Sequence, residues 1–354
     1  MRQNLTELRN KIDEIDREIV ELLNKRALYS KKVGEIKKKN NIEIIDFSRE
    51  KEVFNKILKY SDKIIPDEDL KSIYREIIAS SRKIQKSYNV SILGPAGTFS
   101  HIVFLKFFGK NTDSVFCKKI KDIFIDVIKE NVKFGIVPVE NSIEGSVSST
   151  LDYLYEFNVK IWAELLHKIS FNLVSFAKDK SKIEKIYSHP HAISQCRNFL
   201  EIEFPEVEII ELSSTTSGIK FLQKDKESAA IVSPLAGEIY DIPILYKNIE
   251  DNPNNFTRFF IISNNENKLK HGDKSSLIFA VSHKPKSLFN ALDVIAKFNL
   301  NMSKLESRPI KGVPWEYMFY VDIEGKLPER FLNEFKNVTT FIKNLGTYPV
   351  EKLD

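Results

Sequence analysis

The side chains best suited to chemistry stand where apolar runs end. Residues 135–139, Gly-Ile-Val-Pro-Val, lead straight into Glu140, Asn141 and Ser142, followed by Glu144, Gly145 and Ser146. A buried strand opening into a polar loop and a helix start is where ligands sit in open α/β sheets. An ordinary strand–loop–helix turn has the same composition, so the neighbouring stretches must decide. Val90 to Leu93 runs into Gly94-Pro95-Ala96-Gly97-Thr98-Phe99-Ser100-His101, whose glycines, Thr98 and Ser100 could present backbone amides to a carboxylate at a helix start. No Lys follows the second glycine, which excludes a Walker phosphate loop. Ile183 to Ser188 leads to His189, Pro190, His191, Gln195 and Cys196, and Ile209 to Leu212 leads to Ser213, Ser214, Thr215 and Thr216. Two histidines two residues apart, with no carboxylate or third histidine at ligand spacing, do not make a metal site, so no metal or other cofactor is expected. Thr257 and Arg258 stand at the mouth of the apolar run 259–262.

A second set of polar groups lies on helices. Leu5, Leu8, Ile12, Ile15, Ile19 and Leu22, then Tyr29, Val33 and Ile36, recur at three- and four-residue spacing, which predicts one helix of more than thirty residues. Arg26 occupies a stripe position, and Arg9 and Lys37 flank the stripe. A helix that long cannot bury its stripe within so short a segment, so an intertwined homodimer or higher homo-oligomer is expected. Asp46 or Ser48 can cap a second helix, on which Glu50 shares the face of Val53, Phe54, Ile57 and Leu58. A third helix begins near Pro66 and carries Tyr74, Ile78, Ser81 and Gln85 on one stripe. Charges on an inner face either satisfy one another or hold a small dianion.

The elements that position these groups divide the chain of 354 residues into three: 1–88 helical, 89–267 of strands alternating with helices, and 273–354 in the order strand, helix, strand, strand, helix, strand. With 42% hydrophobic and 29% charged residues the composition is that of a globular protein. No apolar stretch approaches membrane-spanning length and no signal-type leader is seen, so a cytoplasmic protein without a membrane partner is expected. Two cysteines are too few for a disulfide framework. Residues 1–88 hold 21 Lys/Arg against 16 Asp/Glu and the remainder 33 against 33. These charges alternate at helical spacing, which argues for solvated faces and a small anion site, not for nucleic acid.

Residues 5–86, through Leu8 to Ile12, Arg26, Val33 to Lys37, Asp46, Arg49, Glu50, Ser81 and Gln85, resemble the all-helical chorismate mutases. The resemblance implies that Arg9, reaching across a dimer, Arg26 and Arg49 hold the chorismate carboxylates. It further implies that Lys37 and Gln85 bond the ether oxygen, and that Asp46, Glu50 and Ser81 contact the hydroxyl side. Residues 90–266 resemble prephenate dehydratase, through Gly94 to His101, Pro138, Glu140 to Ser142, Gly145, Ser188 to Pro190, Gln195, Cys196, Ser214, Thr215 and Thr257 to Phe259. That implies two α/β lobes like those of periplasmic binding proteins, with Thr257, Glu140, Asn141 and Gln195 catalytic. Thr98, Ser100, Ser214, Thr215 and Arg258 would then bind prephenate. Glu306 to Pro309 and Trp315 to Tyr317 resemble the ferredoxin-like ACT regulatory domain, implying a phenylalanine site near Leu288, Glu306, Ser307 and Arg308. Lys286-Ser287-Leu288 stands where that family has Gly-Ala-Leu. Together the resemblances imply a bifunctional enzyme of phenylalanine biosynthesis with phenylalanine as effector.

Overall fold

The computed structural model describes residues 2–353 apart from 41, 43, 44, 87, 213, 214, 267–271, 311 and 314. They fall into two compact units, Met1–Asn89 with Leu105–Asp113, and Val90–Phe104 with Ser114–Asp354. Among the described residues no helix is long and apolar enough to cross a membrane.

The helices of the first unit follow from local signals. The apolar stripe builds α1 (Arg2–Lys39), 38 residues long, or about 57 Å at 1.5 Å per residue. Asp46 caps α2 (Phe47–Tyr60) by accepting from the Arg49 amide at 3.0 Å. Pro66 precedes α3 (Asp67–Gln85), whose first turn holds Asp67, Glu68 and Asp69, favourable against the positive end of a helix. Where α1 meets α3, a Cβ on Gly34 would lie 2.8 Å from Gln85 Cγ, so glycine permits the approach. Elsewhere the stripe stays open within one chain, with Leu8 53%, Ile12 57%, Ile15 55% and Leu22 62% exposed.

The second unit contains three sheets. The first lobe is built from β1 (Asn89–Leu93), α4 (Phe99–Phe108), β2 (Asp113–Cys117), α5 (Ile120–Ile128), β3 (Phe134–Asn141), β4 (Gly145–Ser146), α6 (Ser148–Glu156) and β5 (Lys160–Lys168). The chain then crosses to a second lobe of β6 (Asn172–Ser175), β7 (Lys185–Ser188), α7 (Pro190–Gln195), α8 (Arg197–Glu203), β8 (Glu208–Glu211), α9 (Ile219–Leu222), β9 (Ser228–Val232), α10 (Pro234–Ile239) and β10 (Ile244–Tyr246). It returns as β11 (Phe256–Ser263), which lies between β5 and β3 and is antiparallel to both. The second-lobe strands lie in the order β10-β6-β9-β7-β8. Cys196, expected inside a helix, marks the junction of α7 and α8.

The C-terminal elements are β12 (Lys274–Ala280), α11 (Ser287–Lys297), β13 (Met302–Pro309), β14 (Tyr317–Glu324), α12 (Glu329–Lys336) and β15 (Phe341–Tyr348), in the antiparallel order β13-β14-β12-β15. Alternation along these strands serves two cores. Leu277, Phe279, Val321 and Ile323 pack against α11 and α12, whereas Ile278, Met318 and Tyr320 join the core formed by α5, α6, Phe260 and Ile262. Lys343 of β15 donates to the carbonyls of Leu154, Tyr155 and Phe157 at the end of α6, at 2.7, 3.0 and 2.6 Å.

One strand was not expected from sequence. β16 (Val350–Leu353) leaves the C-terminal sheet and runs parallel to β5, pairing Val350 with Glu164 and Leu353 with His167. Four residues, two of them the exposed Glu351 and Lys352, carry little strand signal. The strand forms because the edge of β5 supplies its hydrogen bonds. Leu353, 3% exposed, is its anchor. Leu353→Ala should lower stability by about 2 kcal/mol, read as a reduced midpoint in urea unfolding followed by the fluorescence of the buried Trp162 on β5; an unchanged midpoint would show that β16 secures nothing.

Candidate functional site

In the helical unit, the inner face of α3 gathers the expected groups. Arg26 donates to the Ser81 hydroxyl, which itself donates to the Ile77 carbonyl at 2.8 Å. Burial pushes the Arg26 pKa down, opposed by Tyr74. A half-buried cation beside a neutral hydroxyl is suited to an anionic ligand. Glu50 is held by Arg82, whose Nε lies 2.7 Å from Oε1 while Nη2 meets the second oxygen. Arg82 is 5% exposed and its guanidinium stands 5.8 Å from the Phe108 ring centroid. Sequence reasoning had passed over Arg82, although its place four residues after Ile78 on α3 was the available signal. Glu50 therefore looks to Arg82 and Arg26 to Ser81, and the buried Gln85 Oε1 has no partner among the described residues. Lys37 is half-buried, and Arg9 is exposed. Asp46 is the α2 cap, and Arg49 pairs with Glu52 at 2.7 Å on the surface.

The second constellation arises from a strand irregularity. Across β3 and β11, Phe259 opposes Pro138 but Arg258 opposes Glu140 and Thr257 opposes Asn141, leaving Val139 as an extra residue in a bulge. Pro138 has no N–H for the ladder, which suits it to that place. The bulge turns Glu140 toward Arg258 and Asn141 toward Thr257. Asn141 Nδ2 donates to Thr257 Oγ1 at 2.9 Å and to Asn255 Oδ1 at 2.7 Å. Asn255 Nδ2 donates to Gln195 Oε1 at 2.7 Å, and Gln195 Nε2 to Glu144 Oε1 at 2.8 Å. The structure thus joins Thr257, Asn141 and Gln195 where the two lobes meet, through Asn255 and Glu144, which sequence reasoning had not selected.

Glu140 and Arg258, grouped with these residues from sequence, lie apart from them. Alternation along β11 puts Arg258 on the face opposite Thr257, where its guanidinium bonds Glu140 at 2.6 Å, Glu164 at 2.7 and 3.1 Å, and Asp322 of β14 at 2.6 Å. Lys304 of β13 adds a bond to Glu140 at 2.9 Å. Burial raises the Glu140 pKa, but Lys304 and Arg258 outweigh it and hold the carboxyl below its ordinary value. Glu140 is an ionised member of an ion-pair cluster, and the carboxylates on Arg258 take four of its five N–H donors.

Other expected contacts also differ. Thr98 caps α4, donating to the Leu93 carbonyl at 2.8 Å and accepting from the His101 amide at 3.4 Å, and Gly97 N donates to His101 Nδ1 at 3.1 Å. Gly97 has φ +85°, and a Cβ there would meet Ala236 at 2.9 Å, so glycine lets α10 approach the loop. Ser100 is buried in the first turn of α4. Ser214 and the side chain of Thr215 lie outside the described residues. His189 Nδ1 accepts from the His191 amide as the α7 cap. Burial pushes the Cys117 thiol up to about 11 and Cys196 higher, so neither is a thiolate at neutral pH. The residues expected to bind phenylalanine do not converge within one chain. Glu306 meets Ser146, and Arg308 meets Ser148 and Asp152, while the period of two on β13 sends Ser307 to the exposed face. Leu288 packs on α11 in the C-terminal core.

A family model described as prephenate dehydratase matches residues 90–267, half of the chain, and one described as chorismate mutase type II matches residues 8–86. A bifunctional chorismate mutase/prephenate dehydratase of Aquifex aeolicus is 41% identical over 98% of each chain. The chain belongs to the bifunctional chorismate mutase/prephenate dehydratase family. A prephenate dehydratase of Methanocaldococcus jannaschii is 39% identical and aligns 96% of its length with 72% of this bifunctional chain. The crystal structure of a prephenate dehydratase of Arthrobacter aurescens in complex with L-Phe superposes with a TM-score of 0.69 at 28% identity, covering 74% of this chain and 90% of its own.

In this family member the Glu140 cluster predicts a pH signature. A carboxyl with a depressed folded pKa stabilises above its unfolded value and loses that contribution as pH falls through the folded value. Glu140→Gln should therefore be less stable than wild type at pH 7, by about 1–3 kcal/mol. The gap should close as pH drops below the ordinary 4.5; thermal unfolding across pH 3–7 checks this, and a gap that does not change with pH would remove Glu140 from the ion-pair account.

Proposed function

We propose that the chain rearranges chorismate to prephenate in its helical segment and converts prephenate to phenylpyruvate at the junction of the α/β lobes. Phenylalanine acts as the effector. The functional division follows 1–88, 89–267 and 273–354, the last as a ferredoxin-like ACT module, with catalysis in the cytoplasm. The observation that carries the dehydratase assignment is the hydrogen bond from Asn141 Nδ2 to Thr257 Oγ1. Because Thr257 accepts there, its own proton is available to another group.

Prephenate loses its ring carboxylate as carbon dioxide, and the electrons of the broken C–C bond enter the ring as the C–O bond to the hydroxyl breaks. Aromatisation drives both cleavages. The leaving hydroxide needs a proton, and Thr257, 9% exposed, donates a hydrogen bond toward it. An alcohol is a weak acid, so Thr257 polarises or relays and does not itself remain deprotonated. Asn141 holds the Thr257 hydroxyl, while Gln195 and the first-turn amides of α4 orient the substrate carboxylates. Thr98 and Ser100 shape that turn.

The mutase reaction needs neither nucleophile nor proton transfer. It requires a compact substrate conformer and a positive group where negative charge gathers on the ether oxygen. Lys37 supplies the charge, and Gln85 a hydrogen bond. Arg26, Arg49 and a partner's Arg9 receive the carboxylates, and Asp46, Glu50 and Ser81 meet the hydroxyl side. The open stripe of α1 supports a homodimer in which a second copy covers it and carries Arg9 across. The L-Phe bound to the Arthrobacter aurescens relative supports phenylalanine as the effector.

Thr257→Ala should reduce phenylpyruvate formation by about 10²–10⁴-fold and leave chorismate consumption intact; an unchanged dehydratase rate would refute the role of the hydroxyl. Lys37→Ala should do the reverse, lowering chorismate consumption by at least about 10²-fold while prephenate dehydration persists. Loss of both activities, or of neither, would count against two separate sites.

A further inference from the structure

Glu144 and Asn255 complete a chain of hydrogen bonds whose direction is set at both ends. The Asn141 side-chain oxygen accepts from the backbone amides of Ile143 and Glu144 at 2.9 and 3.1 Å. A backbone amide can only donate, so Asn141 must turn its NH₂ toward Asn255 and Thr257. Asn255, 0% exposed, therefore meets Asn141 with its oxygen and Gln195 with its NH₂. Gln195 is left with its own NH₂ for Glu144, and a carboxylate can only accept. The second carboxylate oxygen of Glu144 is occupied by His191 Nδ1. Were any one amide reversed, two donors or two acceptors would face each other in a buried place. Glu144 follows β3 and Gln195 ends α7, so the chain also ties the lobes together beside Thr257.

We infer that Glu144 and Asn255 are positioning residues of the dehydratase. Through Gln195 and Asn141 they keep an NH₂ on Thr257 Oγ1, and so keep the Thr257 proton directed to the substrate. The inference rests on the dehydratase reading of this junction.

The direction of the chain can be tested by inverting it. N255D keeps the acceptor for Asn141 but loses the donor to Gln195, which must turn over and point its oxygen at Glu144. The kcat for phenylpyruvate formation should fall about 10²-fold. Adding E144Q supplies an NH₂ for the turned-over Gln195, so N255D/E144Q should regain about tenfold or more over N255D. That recovery should lie in kcat and be equal at low and high salt, whereas relief of simple charge repulsion would lie in KM and be screened. A recovery confined to KM, or none in folded variants, would overturn the inference. Folding is verified by cooperative thermal unfolding and by chorismate consumption. If N255D does not fold, the partly exposed Glu144 decides: E144A should lose about tenfold in kcat and E144Q less than about threefold, and equal losses would overturn the proposal. Wild type is assayed first; absence of phenylpyruvate there would refute the dehydratase reading and not the chain's direction.

Discussion

Arg258 is the point on which the second unit depends. Its guanidinium binds carboxylates from three strands, Glu140 on β3, Glu164 on β5 and Asp322 on β14. A largely buried charge is tolerable only when it is paired and hydrogen-bonded. Lys274 against Glu164 at 2.9 Å and Lys304 against Glu140 at 2.9 Å offset the surplus of acid. Asp322, 0% exposed, also accepts from Ser276 and from the Tyr320 hydroxyl at 2.6 Å. Burial pushes the pKa of Tyr320 and Tyr348 well up, so both phenols stay protonated donors. Removing Arg258 itself would leave three carboxylates without their shared cation, at a cost of about 3–5 kcal/mol.

The cluster explains why the C-terminal sheet packs as it does. One face covers its own helices, and the other shares an apolar core with α5, α6 and β11, inside which the Arg258 cluster is the polar lock. Neighbouring residues on β11 consequently have unlike tasks. Arg258 joins the C-terminal sheet to the central one, and Thr257, one residue earlier, looks into the junction of the lobes.

The helical unit applies the same physics with fewer charges. Arg82 takes both oxygens of Glu50 and leans on Phe108, which fixes the carboxylate. Arg26, by contrast, meets the neutral Ser81, and burial pushes its pKa down. The two arginines differ in environment because Arg82 has a carboxylate partner and Arg26 has a hydroxyl.

By itself the sequence determined most of the elements and pointed to Thr257, Asn141 and Gln195. The spacing of Leu8, Ile12, Ile15 and Leu22 dictates a helix because side chains three and four apart share a face, and the apolar run 259–262 dictates a buried strand. Family motifs brought Asn141, Gln195 and Thr257 together although more than fifty residues separate each from the next. Tertiary structure decided which neighbours face which way. The bulge at Val139 set Glu140 opposite Arg258 and Asn141 opposite Thr257, and no local pattern announces a ladder irregularity that depends on the register of β11. The parts played by Asn255 and Glu144 were not legible for a related reason: an amide or a charge acquires its role from the partner that long-range packing brings to it. The strand β16 exists only because β5 offers it an edge. Periodicity is a property of the chain, whereas register, bulges and the pairing of buried charges are properties of contacts between distant segments.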